Sequence, residues 1–89
     1  SIAANAFKGM KKLEKVTIGT NVSKIGKNAF SGDSKLKSIQ IKSKKLTSVG
    51  KGALKNISAK AVIKVPKSKK KAYTSLLKGK GQKKSVKIK

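Results

Sequence analysis

Bulky apolar residues recur along this chain at fixed offsets, with the same polar punctuation between them. Ile2, Phe7, Leu13, Val16 and Ile18 are followed 23 positions later by Ile25, Phe30, Leu36, Ile39 and Ile41. A third pass brings Val49, Leu54, Ile63 and Val65, with one residue inserted before Leu46. A fourth 23-residue step carries Leu54 to Leu77, Ile63 to Val86 and Val65 to Ile88. Self-similarity at such a period marks stacked repeats, in which each unit buries its apolar face only against its neighbours.

Within each repeat the period changes from alternating to turn-like. Val16-Thr-Ile18, Ile39-Gln-Ile41, Ile63-Lys-Val65 and Val86-Lys-Ile88 alternate apolar and polar positions, the pattern of strands with one buried face. Stacked in register they predict a parallel sheet with rungs about 4.8 Å apart. Gly9, Gly32, Asn56 and Gly79 share a column two residues after a bulky apolar one, and these residue types accept a left-handed backbone. Asn5, Asn28 and Gly52 share another column, just before Ala6, Ala29 and Ala53. That column suits the first position of a helical turn, where an Asn side chain accepts a bond from an orphan N–H. The space between the two columns predicts one short turn of 3₁₀ helix. The alanines predict close approach of the neighbouring rung.

The last repeat is modified. Pro66 stops the third strand, and Ser68 opens a predicted helix that Gly79 ends. Ala72, Tyr73, Leu76 and Leu77 fall on one face of it, with Lys67, Lys69, Lys70, Lys71 and Lys78 mostly off that face. A polar-surfaced helix followed by a final strand reads as a C-terminal cap. The expected division is therefore residues 1–66 as repeats of about 23 residues, and 67–89 as capping helix and final strand. No comparable cap precedes Ile2, so the pattern predicts an open apolar edge there, continued by further repeats N-terminal to residue 1.

Composition narrows the chemistry. The chain has 25 Lys, no Arg, and only Glu14 and Asp33 as acids, for a net charge of +23. It has no Cys and no His, which removes disulfides, thiol nucleophiles, imidazole catalysis and ordinary zinc ligand sets. Two isolated carboxylates leave almost nothing for general acid–base work or hard-cation binding. We therefore expect no catalytic residues, no cofactor and no metal. The longest uncharged run, Val16 to Ser23, is too short to span a membrane. High charge with one Tyr, two Phe and no Trp pushes toward disorder. The ordered apolar columns argue against it.

The segment Leu13-Glu-Lys-Val16-Thr-Ile18-Gly-Thr-Asn21 fits the leucine-rich-repeat signature L-x-x-L-x-L-x-x-N. With Asn-Ala-Phe-x-Gly placed before each Leu-x-x-Ile-x-Ile, the chain resembles the BspA-like (Treponema-type) leucine-rich repeats. The likeness is strongest over residues 1–56; farther on, Lys60 and Lys83 stand where Leu13 and Leu36 stood. The resemblance implies a right-handed leucine-rich-repeat solenoid, an α/β repeat fold with short parallel strands, short 3₁₀ or α turns and a C-terminal helix–strand cap. It also implies an extracellular or cell-surface bacterial protein engaged in adhesion or protein binding.

The candidate binding face is the outward side of the strands: Lys15, Thr17, Ser38, Gln40, Lys42, Lys64, Lys87 and Lys89. The expected partner is a protein or an acidic polymer at the cell surface. A plain solvated sheet face is the competing reading, because the ladder holds no aromatic anchor. The alternative function is sequence-independent gripping of a polyanion, either cell-wall polymer, glycosaminoglycan or nucleic acid, by the runs Lys67–Lys71 and Lys78–Lys84. Absence of Arg and of stacking aromatics speaks against sequence-specific nucleic-acid recognition. Solubility of an elongated surface would also account for the lysines.

Overall fold

The alternating segments form strands where the pattern places them. The computed structural model describes all 89 residues. In chain order the elements are β1 (Lys15–Ile18), β2 (Lys24–Ile25), β3 (Ser38–Ile41), β4 (Ser48–Val49), β5 (Val62–Lys64), a 3₁₀ turn (Lys67–Lys69), α1 (Lys70–Leu77) and β6 (Lys87–Ile88). Strands β1, β3, β5 and β6 make one parallel sheet in that order, and β2 and β4 make a second, two-stranded one. Register follows the repeat: Val16 lies beside Ile39 and Ile39 beside Ile63, so like residues stack on like. On the other wall Ile25 lies beside Val49, and Ile2 bridges to Ile25.

Between the two sheets sits one core. Ile18, Ile39, Ile41 and Ile63 enter it from the larger sheet, Ile25 and Val49 from the smaller. Phe30, Leu54 and Leu36 fill the turn side, and Tyr73 and Leu77 arrive from α1. Full burial of each such side chain stabilises by roughly 1.5–3 kcal/mol. At the position of Leu36 the third rung has exposed Lys60, and Ile57 and Ala61 supply the buried apolar surface there.

The turn segments depart from the expected 3₁₀ helix. Ala29, Ser31 and Asp33 donate locally to Gly26, Asn28 and Phe30. The alternate amides of Asn28, Phe30 and Gly32 instead donate to Lys51, Ala53 and Lys55 of the next rung. Left-handed residues make this alternation possible: Asn28 at φ 58° and Gly32 at φ 81° turn successive N–H groups along the stack. The Asn column is thus a second left-handed column, not the extended N-cap the sequence suggests. The Gly/Asn column is left-handed throughout, at Gly9, Gly32, Asn56 and Gly79, as expected.

The closest approach of rungs lies beside the alanine column rather than in it. Ala29 and Ala53 are fully buried. It is at Gly26 and Gly50, however, that a Cβ would collide with backbone, of Ala4 and Lys27 respectively. The amides of these glycines donate to Ile2 and Ile25 at 2.7 Å, which draws the backbones together.

The last repeat slips its register. Ile63 pairs with Ile88, 25 residues on, rather than with Val86. The cause is α1, which takes more chain than the turn it replaces; Leu54 donates to Lys80 where Phe30 donates to Ala53. The helix proper starts at Lys70, and Ser68 makes no capping bond. Tyr73 and Leu77 are buried, Leu76 is partly buried, and Ala72 is exposed, so the buried stripe is narrower than expected. Tyr73 reaches the loop between β3 and β4: its hydroxyl donates to the Ser43 carbonyl at 2.8 Å and accepts from the Leu46 amide at 3.1 Å. At the opposite end Phe7 and Met10 are 39% and 45% exposed, and β1 has no partner on its outer side.

Candidate functional site: the outer face of the parallel sheet

Strand alternation turns every second side chain of the larger sheet away from the core. Thr17, Gln40 and Lys64 lie side by side in one row, all exposed. Lys15, Ser38, Val62 and Lys87 form the neighbouring row. Lys42 and Lys89 lie just past their strands, their amides donating to Ile18 and Ile63. All eight candidate residues therefore belong to one continuous surface. Their arrangement differs from the expected one in the last rung, where the slip of two residues sets Lys87 beside Val62 and carries Lys89 past Ile63 toward Lys64.

Beyond the C-terminal ends of β3 and β5 this face dips into a groove of about 310 Å³. Gln40, Lys42, Lys44 and Lys64 line it, with Val65 and Pro66 as its apolar wall. Lys44 is the lining residue that sequence reasoning missed. It belongs to the loop carrying the one-residue insertion before Leu46, and that insertion was the available signal. Ser43 holds the loop in place, donating to the Val22 carbonyl at 2.6 Å and accepting from the Lys45 amide at 3.0 Å.

The electrostatics are one-sided. Glu14 meets Lys37 at 3.3 Å with both side chains more than half exposed, so the pair contributes little. Asp33, the other acid, is fully buried. Its Oδ1 accepts from the Met10 amide at 2.7 Å, and Oδ2 has no partner. Burial raises its pKa above the ordinary carboxylate value, partly offset by the Met10 bond. No group of three or more His, Cys, Asp or Glu comes together. The face is thus a surface of ammonium, amide and hydroxyl donors able to meet anionic and hydrogen-bond-accepting groups.

Stacked parallel rungs with an exposed polar sheet face define a leucine-rich-repeat module. The family model described as BspA type leucine rich repeat region (6 copies) matches residues 1–89, and the chain belongs to that family. No curated protein and no solved structure gives a significant match. No helix is long and apolar enough to cross a membrane.

Proposed function

We propose that this chain is a non-catalytic protein-interaction or adhesion module of a bacterial surface or secreted protein. Its rungs wind as a right-handed solenoid, with residues 67–89 closing the stack behind the repeats of 1–66. The observation that carries the reading is the in-register outer row Thr17, Gln40 and Lys64, exposed and uninvolved in the core. A preformed, flat, polar face costs little conformational entropy when a partner docks.

A second reading has its own observation: 25 lysines face a single internal ion pair. Such a surface attracts any polyanion, with affinity falling steeply as salt rises.

Two double variants of equal charge separate the readings. Lys42→Glu/Lys64→Glu alters the sheet face, and Lys27→Glu/Lys51→Glu makes the same charge change on the turn side. Binding to an array of extracellular proteins should be lost in the first and kept in the second. Equal loss in both, together with heparin-column elution at higher salt than unrelated proteins of like charge, favours the polyanion reading and overturns the first.

A further inference from the structure

Both walls of the groove on the sheet face are tied to α1. One wall is Lys42 and Lys44, on the loop between β3 and β4; the other is Val65 and Pro66, which lead into the helix. Ser43 lies between the two lysines and is itself 0% exposed. Its carbonyl accepts from the Tyr73 hydroxyl at 2.8 Å, and the same hydroxyl accepts from the Leu46 amide at 3.1 Å. On the opposite wall the Pro66 carbonyl accepts from the Lys69 amide at 2.9 Å, one residue before α1 begins at Lys70. Release of α1 therefore unties the Lys44 loop through Tyr73 and displaces Pro66 through the chain. The other ties of that loop run to the preceding rung, from Ser43 Oγ to the Val22 carbonyl at 2.6 Å and from the Thr47 amide to the Ser23 carbonyl at 2.8 Å.

The helix is weakly secured. Its eight residues are too few to hold as an isolated helix in water. Neither Pro66 nor Lys69 supplies a side-chain capping bond, and no acid lies in the first turn. Lys69, Lys70 and Lys71 instead set like charge at the positive end of the helix dipole, which opposes the helix. Its docking rests on Tyr73 and Leu77, each 1% exposed. Segments with so few buried anchors open at lower free energy than the core they lie on.

We propose that α1 is a latch that sets the shape of the sheet-face groove, with Tyr73 and Ser43 as its positioning residues. With the helix docked, both walls are held in place for a partner. With the helix released, the Lys44 loop and Pro66 are freed together and the groove is lost. Neither positioning residue touches the partner. The coupling is reciprocal, so a partner seated in the groove also holds the helix down. This regulation presupposes the sheet face as the docking surface proposed above, and it adds an internal control of that same surface.

Amide hydrogen exchange, followed residue by residue in nuclear magnetic resonance spectra of the whole chain, reads the latch without any partner. The Leu46 amide and those of α1 should open together, and more readily than the rung-to-rung amides of Phe30 and Gly50. Lys70→Glu/Lys71→Glu, which makes the helix start acidic, should slow Leu46 exchange roughly three- to tenfold and leave Phe30 and Gly50 unchanged. Tyr73→Phe should speed Leu46 exchange and move the amide signals of both walls, at Lys44 and at Val65. An unchanged Leu46 rate in the double variant overturns the proposal, as does equal slowing at Phe30 and Gly50. So does a Tyr73→Phe effect confined to residues 43–46. Any of these results, with retained capture on the protein array, removes the latch and leaves the module's interaction role standing.

Discussion

Phe30 and Asp33 lie three residues apart and are buried for opposite physical reasons. Phe30 is fully enclosed and stacks on Phe7, ring centroids 5.6 Å apart and planes within 5°. Phe30→Ala should cost about 3–5 kcal/mol in urea denaturation, the range for emptying a packed aromatic site. Phe7→Ala should cost clearly less, because that ring is 39% exposed. Asp33 occupies a column that holds Met10 in the preceding repeat and Ile57 in the following one. Its carboxylate loses solvation and recovers one hydrogen bond. With the folded pKa raised, the folded state holds its proton more tightly than the unfolded chain does. The associated stability is full at acid pH and is lost as pH rises through the unfolded and then the folded pKa. Asp33→Asn should therefore melt higher than the parent at neutral pH, with the difference shrinking below pH ~4. A difference independent of pH would show that packing, not charge, governs the site.

At the scale of elements, α1 is the informative departure. Its Tyr73 hydroxyl serves two buried backbone groups of the loop between β3 and β4, the Ser43 carbonyl and the Leu46 amide. Tyr73→Phe preserves the ring and orphans both, and should cost about 1–3 kcal/mol; a loss under about 0.5 kcal/mol would mean that solvent reaches them. The strands and the left-handed Gly/Asn column were legible in the sequence because each rests on local rules, alternation and φ sign. The register of β6 was not, because it depends on how much chain a helix consumes, and a 23-residue extrapolation from Ile63 to Val86 contains no such information. The rung-to-rung amides of Asn28, Phe30 and Gly32 were equally hidden, since a left-handed Asn and an N-cap Asn read alike as letters. Of the candidate face, all eight residues lie together, while Lys44 and the groove it lines depended on a loop whose path only tertiary bonds through Ser43 fix.

For the whole molecule, 31 × 25 × 20 Å, charge is a matter of spacing. Rungs about 4.8 Å apart bring lysines such as Lys64 and Lys89 well inside the screening length of about 10 Å at 0.1 M salt. Added sodium chloride should therefore raise the melting temperature. A flat or falling curve over moderate salt would show that the ammonium groups splay far enough apart to ignore one another.

The alternating amides of the turns also determine how the stack bears load. Strand and turn hydrogen bonds both run from one rung to the next, and the residue-1 and residue-89 ends of this segment lie on opposite outermost rungs. Tension between those ends therefore acts on the bonds of a terminal rung while the others stay slack. Such a module unzips from its ends in small steps and yields gradually, as a tether does, instead of holding rigid until it breaks.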